Sequence, residues 1–257
     1  MRKTGLLVLM AFVFGMGCSQ VSLSEELTAN GLGDIAKAYR YFFVLDKSDE
    51  GLLRYMYSDA AAHIHVYVVK DGRSELDWET ATMGSAVTAL FVDDINVDGK
   101  KEIVVATARG RIIVYDGQSY DRLSENFTEP FLTISCMTAA NIDGDPQLEL
   151  IFVADSHLNI YDSKSRGREW RSQQTYQATE ILLGNVDDDP QPEIILNTGA
   201  LIDSKFYTLE PSSLMDGVYG MRMHLLDMNG DGHPEIIGEL PGYVLKIYDV
   251  YAQREIW

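Results

Sequence analysis

The chain holds 257 residues, 46% of them hydrophobic, with 21 Lys plus Arg against 39 Asp plus Glu and a formal charge of −18. That apolar share belongs to a folded protein rather than a disordered one, and the length suits one large domain or two ordinary ones. The deficit of bases excludes a nucleic-acid backbone, whose binding relies on Lys and Arg to release counterions, and makes an anionic membrane surface an equally poor partner.

Residues 1–17 read as a signal peptide: Arg2 and Lys3 precede an apolar run from Leu6 to Phe14, followed by Gly15, Gly17 and Cys18. The run is too short to cross a bilayer as a helix. Gly-Met-Gly-Cys followed by Ser19 resembles a bacterial lipobox, with Gly15 standing where that pattern prefers Leu. The resemblance implies a lipid on Cys18, a tether over 18–37, and a protein held in the bacterial cell envelope, at the periplasmic face of the outer membrane or the cell surface. Maturation would remove two bases and no acid, leaving 19 against 39 and a charge of −20. Cys136 is the only other cysteine, so a lipidated Cys18 leaves no disulfide to form.

From residue 38 onward the chain repeats. Asp94-Ile-Asn96-Val-Asp98-Gly99-Lys100-Lys-Glu102, Asn141-Ile-Asp143-Gly-Asp145-Pro146-Gln147-Leu-Glu149, Asn185-Val-Asp187-Asp-Asp189-Pro190-Gln191-Pro-Glu193 and Asp227-Met-Asn229-Gly-Asp231-Gly232-His233-Pro-Glu235 share one register, starting 47, 44 and 42 residues apart. Upstream of each, apolar residues alternate: Leu90/Val92, Met137/Ala139, Ile181/Leu183, Met223/Leu225. That is the pattern of a strand with one buried face. A short apolar run follows each segment, and then a second run ending in an acid: Ile112 to Asp116, Leu158 to Asp162, Phe206 to Glu210, Val244 to Asp249. Trp170 and Trp257 each stand eight residues beyond that acid.

One period before Asp94, Asp46-Lys-Ser48-Asp-Glu50-Gly51-Leu-Leu-Arg54 keeps the spacing, with Trp78 in the closing position, but places a cation where the other copies carry Glu. This copy is expected to keep the strands and to have lost the ion. Five units of four antiparallel strands predict an all-β, five-bladed β-propeller over 38–257, with blades near 38–82, 83–129, 130–174, 175–216 and 217–257. No strand is left over to complete a blade from the other terminus, so the ring closes by packing, stays open or is completed by a partner.

Each of the four segments places oxygen side chains at positions 1, 3, 5 and 9, three of them carboxylates. With a backbone carbonyl, such a loop can supply the six to eight oxygens that Ca²⁺ takes. Mg²⁺ prefers strict octahedra, and softer metals want His or Cys. The EF-hand is excluded, because its position 12 requires Glu and here holds Val105, Phe152, Leu196 and Gly238, between strands rather than helices. The segments and their flanks resemble the FG-GAP or VCBS-type repeats of calcium-binding propellers, including the integrin α-chain head, although the literal Phe-Gly and Gly-Ala-Pro signatures are missing.

The resemblance implies up to four Ca²⁺ in the loops between first and second strands. Their ligands would be Asp94, Asn96, Asp98 and Glu102; Asn141, Asp143, Asp145 and Glu149; Asn185, Asp187, Asp189 and Glu193; Asp227, Asn229, Asp231 and Glu235, with the carbonyls of Lys100, Gln147, Gln191 and His233. Pro146 and Pro190 replace glycine at position 6 and cannot adopt φ > 0, so loops two and three are expected to turn differently or bind more weakly.

The bland reading, Asx-rich hairpin turns, accounts for positions 1 and 5 but gives no reason for acids at 3 or 9. His63 and His65 share a strand face and, without a third ligand near them, read as part of a half-buried strand. Cys136 reads as a small inward-facing apolar residue. Trp78, Trp170 and Trp257 would suit sugar stacking, but their shared place on outer strands reads as packing. No catalytic triad, nucleophile elbow or phosphate loop is present. The expectation is a non-catalytic, calcium-binding envelope lipoprotein that serves as a binding or assembly subunit for protein partners. The rival class is an extracellular polysaccharide-processing lyase or hydrolase on a calcium-stabilised propeller.

Overall fold

A computed structural model describes residues 41–257 apart from Asp46, Asp49, Phe127, Thr128, Met215 and Asp216. The signal peptide, Cys18, the tether and the first residue of the eroded copy lie outside the described residues. Within them the protein is all-β, and no helix is long and apolar enough to cross a membrane.

Strands pair with their chain neighbours into five antiparallel sheets. The first holds β1 (Phe42–Leu45), β2 (Arg54–Ser58), β3 (Ile64–Lys70) and β4 (Arg73–Glu79); the second β5 (Val87–Asp93), β6 (Glu102–Thr107), β7 (Ile112–Asp116) and β8 (Arg122–Glu125). The third holds β9 (Ile134–Ala140), β10 (Glu149–Ala154), β11 (His157–Asp162) and β12 (Arg168–Arg171); the fourth β13 (Ile181–Gly184), β14 (Glu193–Leu196) and β15 (Leu201–Asp203). The fifth holds β16 (Arg222–Leu226), β17 (Glu235–Leu240), β18 (Val244–Asp249) and β19 (Arg254–Glu255).

The fourth sheet departs from the expected four strands. Its third strand is Leu201–Asp203, not Phe206 to Glu210, and its fourth is reduced to a single bridge between Ile202 and Leu209. The Asp that ends the third strand of sheets two to five has a job that fixes its identity. Asp116 accepts the N–H of Gln118 and Ser119 at 2.8 and 2.7 Å, Asp203 those of Lys205 (2.9 Å) and Phe206, and Asp249 that of Ala252 at 2.8 Å. A short Asp side chain closes such a turn on its own backbone. Phe206 sits on that turn, 67% exposed, which is why an aromatic there mimicked a strand.

Buried side chains gather between consecutive sheets. Met56, Val66 and Ile64 meet Ile103, Val105 and Ile113; Val104 and Ile112 meet Leu150, Phe152 and Tyr161; Ile151 and Ile160 meet Ile194 and Ile202; Ile195 and Leu201 meet Met223, Ile236 and Tyr248. Every residue of β6, β10 and β14 is buried, because each of these strands is packed on both faces. This is why they read as unbroken apolar runs rather than alternating ones. Among the described residues, no buried cluster joins the first and fifth sheets.

Trp78 stacks on Tyr120 at 5.0 Å and Trp170 on Tyr207 at 5.0 Å, so each rests on the turn of the following sheet. Trp257 does not share this packing: it lies beyond β19 and is 77% exposed. Cys136 is buried, as its register implied, with its thiol directed to the Ala178 carbonyl at 3.5 Å.

Candidate metal centre

The four acidic segments form the loops β5–β6, β9–β10, β13–β14 and β16–β17. Because strands alternate in direction, first-to-second loops share one end of their sheets with the Asp-closed turns, and the second-to-third hairpins lie at the other.

Two interactions recur in all four loops. The position-5 carboxylate accepts the N–H of position 7: Asp98 from Lys100 (2.9 Å), Asp145 from Gln147 (2.8 Å), Asp189 from Gln191 (2.7 Å) and Asp231 from His233 (2.8 Å). The position-9 glutamate, first residue of its strand, is almost fully buried and accepts the N–H of position 2 through Oε2. Glu102 takes Ile95 (3.1 Å), Glu149 takes Ile142 (2.8 Å), Glu193 takes Val186 (2.9 Å) and Glu235 takes Met228 (2.7 Å). Position 9 therefore ties the loop to the sheet, a role that turn chemistry alone did not require.

Beyond these the loops divide into two pairs. In loops one and four, Asp94 accepts the N–H of Asp98 and Gly99 at 3.0 and 2.8 Å, and Asp227 those of Gly230 and Gly232 at 2.6 and 3.1 Å. Their position-6 glycines are left-handed, Gly99 at φ 88 and Gly232 at φ 95. The remaining glutamate oxygen is met by the position-3 amide, Asn96 at 3.3 Å and Asn229 at 2.7 Å. In loops two and three, proline forbids that turn, as expected. There Asn141 and Asn185 donate to the carbonyls of Asp145 and Asp189, and Asp143 and Asp187 accept the N–H of position 5. His233 of loop four stacks on Tyr251 at 4.4 Å and approaches Asp188 of loop three at 3.5 Å.

Loops two and three pass a test of fit for a hard cation. Oε1 of Glu149 and of Glu193 is buried without a hydrogen-bond partner. In each loop a glutamate oxygen lies within 4.8 Å of oxygens from both other acids, Asp143 with Asp145 and Asp187 with Asp189. A buried acceptor with no donor is costly, and a cation held by oxygens removes that cost. Burial, reinforced by the neighbouring aspartates, pushes the carboxyls of Glu102, Glu149 and Glu193 up to about 7. In the eroded copy, Arg54 is buried and points to Tyr120 Oη (3.0 Å) and the Gly117 carbonyl (3.4 Å) of the second sheet, so a guanidinium occupies the ground a glutamate holds elsewhere.

Val97, at position 4 of loop one, sits at φ 56 where loop four has Gly230 at φ 78. A β-branched residue is strained there by about 1–2 kcal/mol. Val97 is half exposed, so Val97→Gly is expected to stabilise the protein by up to about 1 kcal/mol, read as a higher denaturant midpoint. A lower midpoint would contradict the strain.

One cluster was missed from sequence. Asp59, four residues before His63, is a third potential ligand beside the two histidines: its Oδ2 lies 3.1 Å from His63 Nδ1 and 3.1 Å from His65 Nε2. The signal was an Asp-x₃-His-x-His spacing across a hairpin. Burial acts to raise the Asp59 carboxyl, but hydrogen bonds from the His63 N–H and both imidazoles outweigh it and hold the group at about 2.

No protein-family model matches the chain, and no curated protein matches it in sequence. Solved structures do. BBS1N, in a crystal structure of its complex with ARL6DN, is 12% identical with a TM-score of 0.61 over 85% of this chain and 68% of that one. The V. cholerae biofilm matrix protein Bap1 is 16% identical with a TM-score of 0.55 over 81% of this chain and 37% of its own length. The computationally designed Ika8 protein is 14% identical with a TM-score of 0.52, over 79% and 57%. At these identities the likeness is one of fold, an all-β, propeller-like arrangement of sheets.

Proposed function

We propose that the protein is a five-bladed, calcium-binding propeller of the bacterial cell envelope, tethered through lipid on Cys18 and serving as a non-catalytic binding or assembly subunit for other proteins. The observation that carries the calcium reading is the pair of buried, donorless glutamate oxygens, Glu149 Oε1 and Glu193 Oε1, on carboxylates that each have an oxygen within 4.8 Å of two aspartates. Asp143, Asp145 and Glu149, and Asp187, Asp189 and Glu193, would hold the ion in loops two and three. Loops one and four would offer Asp98 and Glu102, and Asp231 and Glu235, with Asp94 and Asp227 recruited from the backbone they now bind. Bound calcium would supply charge compensation and cross-linking of each loop, with no reaction attached.

The interaction reading is supported by a fold-neighbour crystallised with a protein partner and another described as a matrix protein. Leu226 and Leu245, on the fifth sheet, are 44% and 52% exposed, apolar surface of the kind a partner covers. Thermal melts test the calcium claim: calcium is expected to raise the midpoint and EDTA to lower it, and identical melts would overturn the reading. Mass spectrometry of the mature N-terminus tests the tether, which requires a lipidated Cys18.

A further inference from the structure

We propose that Asp59, His63 and His65 form a zinc site at the end of the first sheet opposite to that of the acidic loops, with Glu79 orienting His65. The β2–β3 hairpin builds it. The turn is closed by the Ala62 N–H on the Asp59 carbonyl (3.1 Å) and the Asp59 N–H on the His63 carbonyl (3.1 Å), with Ala62 left-handed at φ 61. The His63 N–H engages Asp59 Oδ1 at 2.9 Å. One carboxylate oxygen is thereby fixed, and the other, Oδ2, is left facing His63 Nδ1 and His65 Nε2, each 3.1 Å away.

The donor atoms of these three side chains all lie within 4.8 Å of one another. Tetrahedral zinc, with bonds of about 2.0–2.1 Å, holds its ligand atoms about 3.3–3.4 Å apart. The two contacts to Asp59 are within a few tenths of an ångström of that spacing, so coordination asks little rearrangement of a hairpin already ordered by its backbone bonds. Two imidazole donors favour zinc and its transition-metal neighbours over the calcium or magnesium suited to the all-oxygen loops.

The surroundings of His65 match what a metal-binding imidazole needs. Its other nitrogen, Nδ1, is buried and makes no hydrogen bond, and Glu79 Oε2 lies 3.3 Å from it, within reach of the carboxylate–histidine–metal arrangement that fixes ring orientation in metal sites. Tyr57 stacks on the ring at 4.9 Å. The side chains of Asp59 and His63 remain 27% and 28% exposed, so metal has a path in. Three protein ligands leave a fourth position for water, the pattern of open zinc sites rather than closed structural ones.

Chelator-stripped protein, titrated calorimetrically with ZnCl₂ in excess CaCl₂ and MgCl₂ to fill the carboxylate loops, is expected to bind a single zinc that the His63→Ala/His65→Ala variant does not bind. Glu79→Gln should keep the stoichiometry and weaken binding about 10–100-fold. Cobalt in place of zinc should give the visible bands of a tetrahedral site in the parent and not in the double variant. If the double variant loses its native circular dichroism, the exposed His63→Ala variant alone must show the loss of affinity. Failure of the parent to bind zinc, or undiminished binding by folded histidine variants, would overturn the site and leave an ion-pair cluster only. Neither outcome depends on whether the loops bind calcium.

Discussion

In calcium-free buffer, folding stability is expected to fall as pH rises from about 4.5 to about 7, and calcium is expected to abolish that fall. The carboxyls of Glu102, Glu149 and Glu193 are pushed from 4.5 up to about 7, chiefly by burial and then by the aspartates around them. An acid whose folded value lies above its unfolded one is held protonated by the native state across the interval between them. Its contribution is complete below 4.5, declines as pH passes through about 7, and changes no further above that.

The lowered carboxyls act elsewhere. Asp59, Asp116 and Asp231 all sit below their ordinary 3.8, so the stability they supply is lost only under more acid conditions and leaves the window clear. Calcium in a loop takes the place of the proton, and each site filled at a hundredfold excess over its Kd adds about 2.7 kcal/mol. The ion must displace protons to enter, so its affinity should climb over the same interval. Denaturant melts at pH 5 and pH 8, each with EDTA and with calcium, give the four numbers needed. Equal slopes with and without calcium would sink the argument.

The repeat was legible in the sequence because its residues carry obligations that recur. Every copy must hold the position-7 N–H, which Asp98, Asp145, Asp189 and Asp231 do, and every copy must anchor position 2, which falls to the glutamates. Identical backbone demands select identical side chains at identical spacing, so the strands, their order and the loop positions could be read directly. What could not be read depended on neighbours remote in sequence or on turns without a glycine signature. Asp203 was passed over for Glu210 because the run after it is richer in aromatic and β-branched residues than the three-residue β15 itself. Asp59 went unseen because a buried Ala62 in the left-handed region, not a glycine or asparagine, folds it back onto the histidines. The split between loop pairs was half visible, since proline excluded one turn without naming its replacement.

Glu149 separates the two jobs assigned to position 9, and substituting it two ways should move stability and calcium binding in different directions. Its Oε2 accepts the Ile142 N–H at 2.8 Å, Oε1 is buried with no hydrogen-bond partner, and one of its carboxylate oxygens lies within 4.8 Å of oxygens of Asp143 and Asp145. Glu149→Ala removes both oxygens and strands a buried N–H, which costs about 1–3 kcal/mol before any cavity is counted. Glu149→Gln keeps an oxygen for Ile142, removes the buried charge, and puts an NH₂ among the surrounding carboxylates, much as Asn96 already donates one to Glu102. The calcium-free Gln variant should therefore be at least as stable as the parent at pH 8, and less pH-dependent, because one of the three carboxyls raised to about 7 is gone. Its loop should no longer bind calcium, lowering the calorimetric stoichiometry by one site. The Ala variant should lose both stability and the site. If Gln instead destabilises the calcium-free protein as much as Ala does, the charge of Glu149 is itself needed for folding, and the donorless oxygen is not a vacancy for a cation.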